Sequence, residues 1–251
     1  MIPRVLPWLL LALVVAATPW ISRFTGPATR RPAEPTIRLE VDLSTAEPLL
    51  GEPGSAVVVS PDGSRLAYVA GLGEERKLHV RRLDHLRGTP LSGTEGAYSP
   101  FFSPDGRWIA FFAGNKLRKV DVSGGSPLNI ADIESGEQAR GGTWGRSGTI
   151  VFTRQFEAGL MKVSESGGTP QPLTTLDPAR KERSHRWPCF LPDGKTVVFA
   201  VQAAGERYDE AAIDAVSLET RKRKLVYRGG AYPRYAATGH LLFARGGTLF
   251  L

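Results

Sequence analysis

One short pattern recurs along the chain at nearly constant spacing. Ser-Pro-Asp-Gly occupies positions 60–63 and 103–106, Leu-Pro-Asp-Gly occupies 191–194, and weaker copies end at Gly148 and Gly239. The closing glycines of the five copies therefore recur every 42–46 residues. A fixed period of this length, combined with strand-like content, is typical of the blades of a β-propeller.

Each repeat contains short apolar segments in the same order. In the second repeat they are 98–102, which leads into the turn, 108–112, which follows it, then 117–120 and the proline-led 127–130. Proline sets φ at the first corner of the turn, aspartate bonds to nearby backbone, and glycine takes the positive φ that closes the hairpin. The sequence therefore predicts an all-β fold of four-stranded antiparallel blades, with about four and a half to five blades present.

The repeats are preceded by an apolar segment. Residues 5–21 carry no charged side chain, which fits either a membrane-spanning helix at the lower limit of length or a signal peptide. We predict an N-terminal apolar helix, acting as anchor or signal, in residues 1–22, a proline-rich linker with a first strand in 23–53, and propeller repeats in 54–251. Three arginines after the segment favour a cytoplasmic C-terminal flank, so the membrane orientation stays open.

The charged residues do not indicate a nucleic-acid partner. The net charge of +7 is scattered over the chain, with short basic runs at 180–183 and 221–224. The run at 221–224 lies between two apolar segments, where a solvated hairpin turn is expected, and no aromatic residues alternate with the basic ones as base stacking requires. The single cysteine, Cys189, allows no internal disulfide and is expected to be a small buried apolar residue.

The sequence contains no recognisable catalytic or metal-binding motif. A nucleophile elbow of the form Gly-x-Ser-x-Gly is absent, as are the lysine, catalytic-loop and magnesium-binding motifs of protein kinases. The repeated aspartates Asp62, Asp105 and Asp193 belong to the same turn in different blades, so we expect turn residues and not a metal cluster. We predict no catalytic residue, no cofactor and no metal site.

The histidines and large aromatic side chains have simpler structural roles. No two histidines share a metal-ligand spacing, and His185 is expected to be a hydrogen-bonded structural residue. The aromatic residues fall at strand positions and are expected to pack between blades. These aromatic residues are Trp108, Phe111, Phe112, Trp144, Phe152, Trp187 and Phe190.

The repeats resemble those of the TolB-like and WD-like β-propellers. They are most similar to the propeller that follows a single membrane helix in many bacterial receptor-like serine/threonine kinases. The stretches that carry this resemblance are 60–69, 103–112, 141–144 and 185–194, and the apolar segment with its proline-bearing linker is also similar. The resemblance extends over essentially the whole chain, and it is more distant to propellers of prolyl oligopeptidase-type peptidases.

The resemblance implies a non-catalytic extracytoplasmic module that senses or binds a protein, peptide or glycan. It places the chain in a bacterial inner membrane with the propeller in the periplasm, or free in the periplasm if the segment 1–22 is cleaved. The alternative is the propeller of a membrane-bound serine/threonine kinase, or of a hydrolase, whose catalytic domain lies outside these residues. In either case no activity is assigned to residues of this chain.

The repeats are compatible with two arrangements, a closed five-bladed ring or an open fragment of a larger ring. The fifth repeat contains three strand segments, and the alternating residues 36–43 could supply the fourth strand and close a five-bladed ring. The resemblance instead implies six blades, in which case the chain is an open fragment whose exposed blade favours self-association. The second alternative is the prediction we prefer.

Overall fold

Five antiparallel β-sheets make up residues 56–133, 139–236 and 238–251, the part of the chain that this computed structural model describes. Blade 1 consists of β1 (Val57–Val59), β2 (Arg65–Ala70), β3 (Lys77–Arg82) and β4 (Thr89–Pro90). Blade 2 consists of β5 (Tyr98–Phe102), β6 (Trp108–Ala113), β7 (Lys116–Asp121) and β8 (Leu128–Asp132). Blade 3 consists of β9 (Gly142–Trp144), β10 (Thr149–Thr153), β11 (Leu160–Ser164) and β12 (Gln171–Pro172).

The last two blades complete the described fold. Blade 4 consists of β13 (Glu182–Phe190), β14 (Thr196–Ala203), β15 (Ala212–Ser217) and β16 (Arg223–Arg228). Blade 5 has three described strands, β17 (Ala231–Tyr235), β18 (Leu241–Arg245) and β19 (Thr248–Phe250). Short 3₁₀ turns lie at Gly73–Glu75, Pro178–Arg180 and Tyr208–Glu210. The strands of every blade are ordered as they occur in the sequence, from the innermost to the outermost.

The prediction of an all-β propeller with four-stranded blades is confirmed. The longest described strand is β13, which has nine residues from Glu182 to Phe190. The predicted N-terminal helix and the possible closing strand 36–43 lie outside the described residues, so ring closure stays a prediction. No helix in the described part of the chain has the length and apolar character needed to cross a membrane.

Aromatic and β-branched residues of the second strands form the core between blades. Phe111 and Phe112 on β6, Phe152 on β10 and Phe199 on β14 are all fully buried. Because blades 2, 3 and 4 each lie between two neighbouring blades, consecutive positions along their second strands are both buried. The Phe112 ring, for example, lies 6.3 Å from the Phe101 ring and 6.0 Å from the Phe152 ring, measured between centroids. Burying a side chain of this type stabilises the fold by about 1.5–3 kcal/mol.

The Pro-Asp-Gly turns form as the sequence predicts. Asp62 accepts hydrogen bonds from the Ser60 hydroxyl (2.5 Å) and the Ser64 amide (3.1 Å), and Asp105 accepts the same bond from Ser103 (2.5 Å). Asp193 accepts hydrogen bonds from the amides of residues 195 and 196. The hydrogen bond from Ser60, followed by those from Ser64, lowers the pKa of Asp62. The three aspartates therefore stabilise their own turns in different blades.

A recurring backbone feature lies at the start of the inner strands. At the position seven residues before the turn glycine, φ is positive in four repeats: 49° at Ser99, 94° at Gly141, 52° at Trp187 and 54° at Tyr232. The pairing of the inner strand with the second strand is interrupted there in blades 2, 4 and 5. Such a β-bulge redirects a side chain. A bulky residue in this conformation costs about 1–3 kcal/mol and marks a candidate functional position.

Candidate ligand-binding channel and arginine cluster

The inner strands of the five blades line a central channel with a volume of about 850 Å³. Its wall is formed mainly by residues 57–59, 99–104, 141–146, 188–192 and 234–235. Each segment belongs to the innermost strand of a different blade or to the turn that follows it. The channel is thus a direct consequence of the repeat, because every blade contributes the same part of its sheet.

The wall of the channel is apolar and aromatic, with a positive charge. Phe101, Trp144 and Tyr235 contribute aromatic surface, and prolines contribute rigid apolar backbone. Among the described residues that line the channel, Arg146 and Arg234 are charged and none carries a carboxylate. This combination favours an apolar ligand with a negatively charged group.

A second feature, which we name the arginine cluster, lies where the inner strands begin. The guanidinium carbon of Arg186 on β13 lies 4.3 Å from the ring centroid of Phe156 and 5.0 Å from that of Tyr208. Phe156 comes from the β10–β11 loop of blade 3, and Tyr208 from the β14–β15 loop of blade 4. Arg140 and Arg183 approach the same Phe156 ring, at 5.6 Å and 4.7 Å. Loops of two blades therefore place aromatic rings around one buried guanidinium.

Trp187 connects the arginine cluster to the channel. Its ring stacks on Tyr232 of blade 5, with 3.7 Å between centroids, and its backbone oxygen accepts a long hydrogen bond (3.5 Å) from Arg234 in the channel wall. Trp187 and Tyr232 both have positive φ, and each is followed by a proline. The strained backbone thus directs two stacked rings to the junction between blades 4 and 5.

A network of buried charges supports β13 beneath the arginine cluster. Glu182, at the start of β13, accepts hydrogen bonds from Arg223 of β16 at 2.6 and 2.9 Å. Arg223 also donates to Asp214 of β15 (2.8 Å), and Arg180 donates to Asp214 (2.9 Å). The Glu182 and Asp214 side chains are almost completely buried. These ion pairs tie the outer strands of blade 4 to the start of its inner strand.

His185 belongs to this network and is hydrogen-bonded, as predicted. Its Nε2 lies 2.9 Å from Glu182 Oε2, and its Nδ1 lies 2.7 Å from the hydroxyl of Thr174. Burial lowers the pKa of His185, and the hydrogen bond to Glu182 offsets only part of that effect. Burial also opposes ionisation of Glu182, but hydrogen bonds from His185 and Arg223 outweigh it, so the pKa of Glu182 is lowered. His185 is therefore a neutral structural residue near neutral pH.

The interpretation of the basic run 221–224 as a solvated turn is wrong in part. The run 221–224 does contain a turn, at Arg221, but Arg223 points inward and neutralises two buried carboxylates instead of being solvated. In the run 180–183, Glu182 is buried, and Arg180 is paired with Asp214. The reason is that the side chains of a strand alternate between two environments, so neighbours in a charged run face opposite directions.

Other residues considered in the sequence occupy different places. Cys189 is half-buried instead of fully buried, and it packs at the interface between blades 4 and 5. Trp108 and Trp144 flank the ammonium group of Lys119 at 5.1 and 5.7 Å. Among the residues that the structure describes, no group of three or more potential ligands is arranged to hold a metal ion.

The arginine cluster was not identified from the sequence. Its members come from different repeats, and Phe156 and Tyr208 lie in loops between strands, outside the repeated turn. A signal was nevertheless present, because Ser99-Pro100, Trp187-Pro188 and Tyr232-Pro233 occupy the same position relative to the turn. Two large aromatic residues at a position that glycine occupies in blade 3 indicate a special role.

The comparisons with known proteins support the propeller. No family model matches the chain. The uncharacterised peptidase YuxL of Bacillus subtilis is 31% identical over 150 residues, which are 56% of this chain and 20% of the peptidase. The chain thus spans about a fifth of that relative.

Solved structures show the same fold. TolB from Acinetobacter baumannii matches with a TM-score of 0.57 and 16% identity, over 82% of this chain and 53% of TolB. A structure from a study of two prolyl endopeptidases matches with a TM-score of 0.50 and 13% identity, over 76% of this chain and 34% of that protein. At these identities the likeness shows the fold alone, and that fold is a β-propeller of the TolB and WD40 type.

Proposed function

We propose that the chain is a non-catalytic recognition module that binds an extended polypeptide segment in its central channel. The observation that carries this proposal is the channel itself, which is lined by all five blades and has a volume of about 850 Å³. Volumes of this order, with an apolar wall and few polar groups, are typical of ligand-binding sites.

The wall chemistry favours a polypeptide over a glycan. Glycan recognition depends on many hydrogen bonds to hydroxyl groups, whereas the wall contains aromatic side chains, prolines and the apolar residues of β1. An extended peptide places apolar side chains against such a surface, and its backbone can bond to the exposed polar groups of inner strands. The two arginines of the wall, Arg146 and Arg234, then select among segments by charge.

The extracytoplasmic location is part of this proposal. It is supported by the apolar segment in residues 1–22 and by the resemblance of the repeats to TolB-like propellers. The association with a membrane-bound kinase is supported by the sequence resemblance alone. The propeller then acts as the outer recognition domain, either attached to the membrane or free in the periplasm.

One observation favours a second candidate function, the propeller of a longer hydrolase. The relative YuxL, a peptidase by name, shares 31% identity with 150 residues of this chain. In that case the channel would select or admit substrates for a catalytic domain outside these residues. We expect the purified chain to cleave no peptide substrate; turnover that disappears on a single substitution within residues 54–251 would reveal a catalytic site in the propeller.

Panning of a random-peptide display library tests the proposed function. Val59 lines the channel, so Val59→Trp should narrow it. Because Val59 is 58% exposed, the fold should tolerate the larger ring. Leu86→Trp is the matched control in the same blade, at a residue that is 90% exposed and does not line the channel.

Peptides enriched on the unmodified chain should bind the Leu86→Trp variant equally and lose at least about tenfold in affinity for Val59→Trp, the loss that about 1.4 kcal/mol of binding free energy produces. Equal binding to both variants, or no enrichment at all, would reject the channel as the recognition site.

A further inference from the structure

We propose that Arg186 captures a carboxylate of the bound segment, in a pocket formed with Trp187 beneath Tyr208. This inference rests on the proposed function and adds a specific chemical group to it. The segment would carry its acidic side chain or C-terminal carboxylate at the end of the channel where the inner strands of blades 4 and 5 begin.

The charge of Arg186 has no carboxylate partner among the described residues. The residue is 1% exposed, and its Nε and Nη1 donate to two neutral groups, the Ser184 hydroxyl (2.6 Å) and the Tyr208 hydroxyl (2.5 Å). Burial lowers the pKa of Arg186, but a guanidinium remains protonated in proteins. A buried cation without an anion is unfavourable, so a carboxylate that reached it would be bound strongly.

Two hydrogen-bond donors of the cluster are unused. Arg186 Nη2 and Trp187 Nε1 are buried and have no acceptor in the described part of the chain. The Arg186 guanidinium lies 5.9 Å from the Trp187 ring, so the two donors belong to one cluster. A carboxylate has two acceptor oxygens and is the group that can satisfy donors of this kind.

Arg186 is covered by a side chain that is partly exposed. Tyr208 lies on the short 3₁₀ turn of the β14–β15 loop, is 39% exposed, and covers the guanidinium edge-on to the Trp187 ring (5.5 Å). In the proposed complex the Tyr208 ring is displaced, and the carboxylate reaches Nη2 from the surface. Because Arg234 bonds to the backbone of Trp187, this path adjoins the channel that holds the rest of the segment.

Stacking on Phe156 is the competing explanation for Arg186. A guanidinium on an aromatic face is stabilised without any anion. Stacking, however, accounts for the two faces of the guanidinium and leaves its edge, where Nη2 lies, without an acceptor. The experiment must therefore report on the edge of Arg186 and not only on the stability of the fold.

Nitrogen NMR of the arginine guanidinium groups, including Nη, in the full chain, kept in solution with a mild detergent, gives this readout. The probe is N-acetyl-Ala-Glu-Ala-amide, and the matched control peptide has Gln instead of Glu. We expect the Arg186 signal, assigned by its loss in Arg186→Lys, to shift with the Glu peptide and to stay in place with the Gln peptide. An Arg186 signal that neither peptide moves overturns the proposal, as does one moved by inorganic phosphate and not by the Glu peptide.

Two variants distinguish the contribution of Arg186 to peptide binding from that of a neighbouring arginine. Arg186→Gln should weaken binding of the Glu peptide by about tenfold or more, the loss typical of a hydrogen bond to a charged group. Arg183→Gln removes an exposed arginine from the same Phe156 ring and should weaken it less than threefold. Equal losses in the two variants would indicate general attraction to positive charge and reject the assignment to Arg186.

A carboxylate of the chain itself is the remaining source of the same chemistry. The segment 134–138 contains Glu134 and Glu137 and precedes Arg140 in the sequence. If the Glu peptide shifts the Arg186 signal only in the Glu134→Gln/Glu137→Gln variant, the pocket pairs with its own chain and the proposal fails. A failure of either kind leaves the channel test with Val59→Trp unaffected, so the two proposals are judged separately.

Discussion

At two places in the propeller a cationic side chain lies between aromatic rings. The two places differ in whether their hydrogen-bond donors have acceptors. Lys119 lies between Trp108 and Trp144, donates to the backbone oxygen of Glu165 (2.8 Å), and the Trp144 indole donates to the Glu165 carboxylate (2.7 Å). In the arginine cluster, Arg186 lies against Phe156 and Tyr208, but Arg186 Nη2 and the Trp187 indole have no acceptor among the described residues.

This difference distinguishes a structural contact from a recognition site. The Lys119 contact joins blades 2 and 3 and contains its own anion, so it needs no further partner. The arginine cluster is more deeply buried and has a strained backbone at Trp187, yet its donors are incomplete. Strain and unused donors that persist together are expected where the surrounding fold maintains a site for a ligand.

The largest expected effect concerns the charge network that supports the arginine cluster. Glu182→Gln removes the carboxylate that pairs with Arg223 and bonds to His185, and it leaves the single carboxylate of Asp214 to neutralise both Arg180 and Arg223. We expect the free energy of unfolding to fall by about 3–5 kcal/mol. Urea denaturation followed by tryptophan fluorescence measures this change.

The control for this variant lies in blade 2. Asp132→Asn removes the partner of Lys116 in an ion pair at the surface. Exposed pairs contribute little because water and salt screen them, so the midpoint of denaturation should stay nearly unchanged. Similar losses in Glu182→Gln and Asp132→Asn would show that the buried network does not support β13 as described.

A smaller effect is expected from the glycine that faces Trp187. Gly141 has a φ of 94°, and a Cβ at this position would lie 3.5 Å from Trp187 Cδ1, an ordinary contact distance. Gly141→Ala should therefore lower the free energy of unfolding through backbone strain alone, by about 1–2 kcal/mol. Urea denaturation measures the loss. An unchanged stability would mean that the positive φ at the start of the inner strands is easily relieved.

The stability of the fold should depend on pH through the charge network beneath the arginine cluster. His185 beneath the arginine cluster is surrounded by Glu182, Asp214, Arg180 and Arg223, and burial lowers its pKa in the folded state. The unfolded state keeps a pKa near 6.5 and takes up a proton first as the pH falls. Stability should therefore be complete above about pH 6.5 and decline below it, by at most about 1.4 kcal/mol per pH unit.

Melting temperatures at pH 7.0 and 5.5 test this dependence. Glutamate and aspartate in the unfolded chain titrate mainly below this range, which isolates the histidine. The variant His185→Gln should be less stable at pH 7 but lose less than the unmodified chain on acidification. An equally steep decline in both proteins would assign the effect to other groups.

The sequence predicted the repeated parts of the molecule and missed the parts that differ between repeats. The turns at Asp62, Asp105 and Asp193 and the strands around them follow from local patterns, because turn chemistry and strand alternation act over a few residues. The arginine cluster depends instead on Phe156 and Tyr208, which long-range packing brings to Arg186. Only the fold determines which loop residues meet, so no local pattern contains that information.

The smallest expected effect is the one that separates the two clusters most directly. Lys119→Met removes a cation with its contacts to two tryptophans and its hydrogen bond, and should lower the free energy of unfolding by about 1–2 kcal/mol.

Arg186→Met removes a cation that is more buried but has no anion, and an apolar side chain of similar length relieves the desolvation of that charge. We therefore expect Arg186→Met to change the free energy of unfolding by less than Lys119→Met does, within about 1 kcal/mol of the unmodified chain. Parallel urea denaturation of the two variants measures both values. A loss in Arg186→Met that exceeds the loss in Lys119→Met would contradict the comparison, because Arg186 would then be a structural cation whose burial the fold already compensates.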